Sequence, residues 1–261
     1  MSDWFAIVLL GAIEGVTEFL PVSSTGHLLL AEHWLGHQSD LFNVVIQSAT
    51  VLAVLVVFKD RVLNLMTHCR EAAAQAYLLK LIVAFGITGA GGLALKKLNF
   101  RLPEETTPVA LATLIGGVLF VLVERWLRGR SRSDEVTWPI AVTIGAAQLL
   151  AAVFPGTSRS GATILLALVL GLARPVATEF SFLLGVPTLL AAGGLKVVEA
   201  LRHPAGDPVN WGLIGLASLV AVLTAFVAVK WLVRFVQNHT FEGFGWYRIV
   251  LGIAILALVR S

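Results

Sequence analysis

The chain has 261 residues, 57% hydrophobic and only 13% charged, with a mean hydropathy of +0.85 and a formal net charge of +3. Soluble domains carry about 25% charged residues, so this composition excludes an ordinary water-soluble domain and points to lipid as the solvent. No dense basic stripe with interleaved aromatics occurs, which argues against a nucleic-acid surface, and the single Cys69 excludes an internal disulfide.

The N-terminus does not read as a signal peptide: Asp3 stands where a basic segment belongs, and the apolar run continues into Glu14. That first stretch, residues 4–31, is broken at Pro21-Val-Ser-Ser. Segments 41–58, 76–95 and 107–126 then have about the 20 apolar residues that a spanning helix needs. Residues 139–171 are broken again, at Pro155-Gly-Thr-Ser, and segments 176–200, 211–234 and 244–259 complete six predicted spans. Half of either broken stretch is about 15 residues, too short to cross the hydrocarbon. Both are predicted as re-entrant helix-loop-helix hairpins whose polar loops lie near the midplane, because broken backbone at membrane depth survives only where it lines a cavity. Trp126, Trp138 and Trp211 lie near the ends of apolar runs, as interfacial anchors do.

The two broken stretches resemble each other. Gly11 falls on Gly145, Ala12 on Ala146, Glu14 on Gln148, Pro21 on Pro155 and Ser24 on Ser158 when one is shifted by 134 positions. Three spans follow each hairpin, and an odd number inverts the second unit, so one integral membrane domain is predicted from two inverted-topology repeats, about 1–128 and 136–261. One side of the predicted topology carries Lys59, Arg61, Arg70, Arg125, Arg128, Arg130, Arg132, Arg174, Lys230 and Arg234. The other carries Lys96, Lys97, Arg101, Arg202 and Arg260. The richer side is expected to be cytoplasmic, which leaves both termini and the mouth of the first hairpin external.

The loops hold the chemistry, since charge inside a membrane span marks a functional site by default. Glu14 and Glu18, four apart on a half-helix, share one face. Two poorly hydrated carboxylates repel, and a divalent cation such as Mg²⁺ or Ca²⁺, or an arginine, relieves the repulsion. Bonding of both acids to neighbouring helices is the structural alternative. Ser23 or Ser24 can cap the helix after Pro21, and a helix start is a ready anion site to which Ser24 and Thr25 add hydroxyls. His27, one turn after Ser24, can move protons, although a histidine at a helix edge also serves structure. Arg159 is the sole charge between Pro139 and Gly171 and is flanked by Ser158 and Ser160, with Thr163 one turn on. Its planar fork suits phosphate oxygens. A salt bridge from Arg159 to Glu14 or Glu18 is the competing use, and it too would bring the loops together.

Weaker candidates are Asn43 and Gln47, facing either the chamber or a helix contact, and Glu179, expected to serve its helix dipole. His33, His37, His68, His203 and His239 show no metal-ligand spacing, and no Gly-x-x-x-x-Gly-Lys loop supports nucleotide hydrolysis.

At Glu14-Gly-Val-Thr-Glu-Phe-Leu-Pro-Val-Ser-Ser-Thr-Gly-His27 and Pro155-Gly-Thr-Ser-Arg-Ser-Gly-Ala-Thr163 the chain resembles the undecaprenyl-diphosphatase, or bacitracin-resistance, family. Glu179-Phe-Ser-Phe-Leu-Leu-Gly-Val-Pro187 is similar to a third shared stretch. The resemblance implies a bacterial inner-membrane enzyme that removes the terminal phosphate of undecaprenyl diphosphate, recycling the carrier for cell-wall synthesis, with an associated bacitracin resistance. It also implies six spans with two re-entrant hairpins, an externally opening site, and support by divalent cations. The catalytic set is then Glu14, Glu18, Ser24, His27 and Arg159. Ser23, Thr25, Ser158, Ser160 and Thr163 bind phosphate, and Glu14 and Glu18 hold the cation. Ser24 is favoured as nucleophile, activated by His27 or Glu18, over direct attack by water; alternatively His27 protonates the leaving lipid phosphate or itself attacks the phosphorus. The expected partners are the lipid substrate and membrane lipids, with a homodimer left open. The rival reading is a transporter or flippase that binds a phosphorylated lipid or other anion at the same midplane site without cleaving it.

Overall fold

A computed structural model describes residues 3–98, 106–202 and 209–259. Arg101, His203 and Arg260, used in the readings above, lie outside the described residues. Among those described, the chain is helical throughout, and its one β-type pairing is an isolated bridge between Ser133 and Leu172. The first broken stretch forms α1 (Asp3–Thr17) and α2 (Ser24–Leu35), and the second forms α8 (Trp138–Val153) and α9 (Arg159–Val169). Between them lie α3 (Asp40–Ala49), α4 (Val51–Val57), α5 (Lys59–Thr67), α6 (Ala72–Lys97) and α7 (Thr106–Trp126). The chain ends in α10 (Arg174–Arg202), α11 (Trp211–Asn238) and α12 (Glu242–Leu258).

Five segments are long and apolar enough to cross a membrane: Asp40–Val57, Ala72–Lys97, Thr106–Trp126, Arg174–Arg202 and Trp211–Asn238. They make this a multi-pass membrane protein. The sixth predicted span forms a 17-residue helix, α12. The predicted 41–58 span is divided at Thr50, whose amide bonds the carbonyl of Gln47 three residues back, a tightened turn between α3 and α4. Sequence patterning also missed α5, which its polar residues disguise as a connection. Trp126 and Trp138 are half exposed at helix ends, with Arg130 over the Trp126 ring at 3.8 Å, as interfacial anchors require.

Close packing in lipid relies on small residues, because apolar burial between helices gains little there. A Cβ on Gly11 would stand 2.5 Å from the Ala217 carbonyl oxygen, so α1 and α11 touch backbone to backbone. Gly145 does the same for α8 against α6, 2.6 Å from the Ala84 carbonyl. Exchanging each half of the chain for the other turns α1·α11 into α8·α6, α2·α12 into α9·α7, and α4·α11 into α10·α6, all of them observed neighbours. The pairs α3·α10 and α7·α12 map onto themselves.

Several charged residues near the connections are paired. Glu124, fully buried, accepts from Arg174 and from the Phe241 amide. Glu179 accepts from Arg61 (2.9 Å) and from the Tyr77 hydroxyl (3.2 Å). The expectation that it serves only a helix dipole is therefore corrected.

Candidate active site

Both helix breaks are built alike. After α1 ends, Pro21 turns the chain and Ser23 takes φ 73°, a left-handed conformation costly for a residue with a Cβ. Its hydroxyl then accepts the Gly26 amide at 3.2 Å and caps α2. In the second hairpin Ser158, at φ 67°, accepts the Gly161 amide at 3.1 Å and caps α9. Ser23, not Ser24, is thus the counterpart of Ser158, and the shift of 134 residues that aligns the prolines becomes 135 beyond them. One extra residue in the second break, Gly156-Thr157 against Val22, accounts for the difference. It also alters the sequence-level pairing: Ser24 corresponds to Arg159.

The two loops meet. Glu18, just beyond α1 and buried, is the hub. Its Oε2 accepts from the Ser24 hydroxyl at 2.9 Å and from the Gln47 amide at 2.8 Å. Its Oε1 accepts from Arg159 Nη2 at 3.2 Å. Ser160 donates to the Leu20 carbonyl at 3.2 Å, tying the start of α9 to the end of the first half-hairpin. The ring of Phe19 lies 5.4 Å under the Arg159 guanidinium and packs edge-on to Phe182. Arg159 reaches past Gly185, where any Cβ would collide with the guanidinium. Gly185 sits in the third shared stretch, where spacing alone gives it no role.

Glu14 is buried beside Glu18, and its Oε2 has no hydrogen-bond partner among the described residues. Gln47 belongs to the cluster, whereas Asn43 turns away to Glu32 at 2.9 Å. His27 is not drawn in. Its Nδ1 contacts the Ser23 carbonyl at 2.8 Å, and its Nε2 contacts the Tyr247 hydroxyl at 2.7 Å, with the two rings stacked. A carbonyl only accepts, so Nδ1 carries the proton, an assignment from the bonding network. Spacing alone had placed His27 and Ser24 on neighbouring positions, and a tyrosine 220 residues away decided the direction.

The remaining predicted phosphate ligands divide. Thr25 is exposed beside the cluster. Ser160 and Thr163 are fully buried, and Thr163 donates to the Arg159 and Ser160 carbonyls and contacts Ser181. Ser158 and Ser23 spend their oxygens as caps. At the two helix starts, helix geometry leaves the main-chain amides of Ser24 and Thr25, and of Arg159 and Ser160, without intrahelical acceptors. Two such starts, one of them beginning at Arg159, supply the donors that an anion site needs. Beside it a serine is already bonded to a carboxylate, the arrangement of a nucleophile and its base.

Among the described residues no group of three His, Cys, Asp or Glu side chains is placed to hold a metal. Glu18 has both oxygens engaged, whereas Glu14 Oε2 is buried without a partner among the described residues. One free carboxylate oxygen beside a second acid fits a hard cation that takes its other ligands from phosphate and water.

The profile of the family described as "Bacitracin resistance protein BacA" matches residues 7–254. The undecaprenyl-diphosphatase of Rhizobium etli (strain CIAT 652) is 46% identical over 260 residues, covering 99% of this chain and 98% of that protein. The undecaprenyl-diphosphatases of Xylella fastidiosa (strain 9a5c) and Xanthomonas axonopodis pv. citri are 46% and 45% identical over 257 residues. Each covers 98% of this chain, and 98% and 97% of the relative are matched.

Proposed function

This chain belongs to the bacitracin resistance protein BacA family, and from that premise we propose that it hydrolyses undecaprenyl diphosphate to undecaprenyl phosphate and inorganic phosphate. The enzyme is a multi-pass protein of the bacterial inner membrane that returns the lipid carrier to cell-wall synthesis, an activity associated in its family with bacitracin resistance. The observation that carries the site assignment is the single carboxylate, Glu18, shared by the Ser24 hydroxyl and Arg159 where two helix starts converge.

Ser24 Oγ attacks the terminal phosphorus in line with the bridging oxygen while its proton passes to Glu18 Oε2. The bond from phosphorus to the bridging oxygen breaks, and undecaprenyl phosphate departs with the proton relayed from Glu18. Water then attacks the phosphoserine, Glu18 carries its proton to Ser24 Oγ, and inorganic phosphate leaves. The amides at the starts of α2 and α9, with Arg159, stabilise the charge that builds on the non-bridging oxygens. Gln47 fixes the carboxylate, and His27 fixes the Ser23 turn. Ser158, Ser160 and Thr163 hold the backbone that presents Arg159.

Glu14, beside Glu18, would hold the divalent cation, Mg²⁺ or Ca²⁺, with phosphate and water as its other ligands. When bound, it supplies charge neutralisation at the diphosphate. The reciprocal helix pairing favours two inverted repeats, with α1–α2 and α8–α9 as hairpins entering from opposite faces. The Lys and Arg bias favours external termini and an external mouth.

Phosphate release from undecaprenyl diphosphate by the purified protein in detergent tests the reading. Wild type should turn over, and Arg159→Ala and Glu18→Ala should be nearly inactive. A wild-type protein that binds the lipid without releasing phosphate would instead be the flippase of the rival reading.

A further inference from the structure

Arg248, in α12, is among the largest fully buried side chains and is 1% exposed. Among the described residues no carboxylate lies within ion-pair distance of it. It is also the sole charge between Gly243 and Val259. A guanidinium buried in this way is expensive unless its protons find acceptors. All of its acceptors are main-chain carbonyls. Nε donates to Thr113 at 3.2 Å, and Nη1 to Pro21 at 3.3 Å. Nη2 contacts Ala112 at 3.4 Å, Gly156 at 3.2 Å and Thr157 at 2.9 Å.

The identity of those carbonyls matters more than their number. Pro21 lies two residues before the left-handed Ser23, and Thr157 immediately precedes the left-handed Ser158. Where each hairpin breaks, carbonyls lose their helical donors and cannot reach water. One arm of the fork serves the first break and the other serves the second. Thr113 joins the same junction: its hydroxyl, which donates to the Val109 carbonyl at 2.8 Å, also contacts the Gly156 carbonyl at 3.2 Å and the Ser23 hydroxyl at 3.3 Å. Two glycines keep the space open. A Cβ on Gly161 would lie 2.8 Å from Nη1, and one on Gly116 would collide with Nη2.

We infer that Arg248 is the positioning residue of this active site: it clamps the two helix breaks to each other and so sets the distance between Ser24 on one loop and Arg159 on the other. It touches neither side chain and acts through the backbone that carries them. A lysine keeps the charge but has no fork with which to hold both loops at once. This inference rests on the proposed hydrolysis, and its test is arranged so that the two can fail separately.

Wild type, Arg248→Lys and Gly116→Ala are purified in detergent, and the folded fraction of each is measured by circular dichroism and size exclusion. Turnover of undecaprenyl diphosphate is then expressed per folded molecule. A loop misplaced by an ångström or so costs about tenfold to hundredfold in rate. Both variants should therefore lose about that much kcat per folded molecule, with KM moving less than about threefold. Gly116→Ala keeps the arginine and displaces only its fork, so it reads the clamp even if Arg248→Lys fails to fold. Wild-type kcat per folded molecule in a folded variant overturns the clamp. So does loss of fold in both variants, which would assign Arg248 to general stability. Absence of phosphate release by wild type would defeat the function itself, not this inference.

Discussion

The two hairpins share a backbone and differ in chemistry. Each breaks at a proline and caps its second helix with a left-handed serine that accepts the amide three residues on. At equivalent places the first hairpin carries Glu14, Ser24 and His27, where the second carries Gln148, Arg159 and Ala162. Even the leftover polarity is parallel, since Glu14 Oε2 and Gln148 Oε1 are both buried without partners. The scaffold thus provides twice a helix start suited to an anion. One copy carries Ser24 and the acids, and the other the guanidinium of Arg159. A positive and a negative half, each costly alone in lipid, satisfy one another when they meet at Glu18 and Arg159.

The sharpest way to break this division is to remove the nucleophile from one half. Ser24→Ala should lower turnover by at least about 10³-fold, because a nucleophile's loss removes the covalent route entirely. Its backbone partner in the other half, Arg159, should cost about 10²–10³-fold as alanine, with part restored by lysine, in a phosphate-release assay. Arg159→Ala should also lower thermal stability, since it strands a buried carboxylate.

Making the first hairpin resemble the second is subtler. Glu14→Gln leaves the Ser24–Glu18 bond intact and removes the free oxygen proposed for the cation. Titration of chelator-treated enzyme with Mg²⁺ or Ca²⁺ should then show half-maximal activity at about tenfold or more higher cation. Unchanged cation dependence would remove Glu14 from that role. Gln47→Ala, which loses one hydrogen bond to Glu18, should cost about 0.5–1.5 kcal/mol, or roughly two- to thirteenfold in kcat. Smallest of all, Ser158→Ala should cost about 1 kcal/mol of stability as a lost cap, measured by thermal unfolding, and affect turnover far less than Ser24→Ala.

Much of this was legible in the chain because lipid imposes simple rules. Apolar length, Pro-Gly breaks and stranded charges located the two helix breaks, and the helices flanking them, α1–α2 and α8–α9, formed within a few residues of expectation. Side-chain direction was less accessible. The spacing of Ser24 and His27 is compatible with a shared face, but the hydroxyl of Tyr247 captures the imidazole. The repeat offset slipped by one because an inserted residue in the second break cannot be seen in a gapless comparison. Arg248 was overlooked for a physical reason: in Trp246-Tyr247-Arg248 it reads as part of an interfacial aromatic belt. Only the carbonyls of two distant loops explain its burial. Its isolation as the one charge in an otherwise apolar helix was the available signal.

The account stands most directly on where the phosphoryl group goes. Enzyme quenched in acid during turnover of undecaprenyl diphosphate, then digested and analysed by peptide mass spectrometry, should carry phosphate on Ser24 in the first hairpin. Phosphate on any other residue, or turnover that persists at the wild-type rate with Ser24 replaced by alanine in the same experiment, would contradict it.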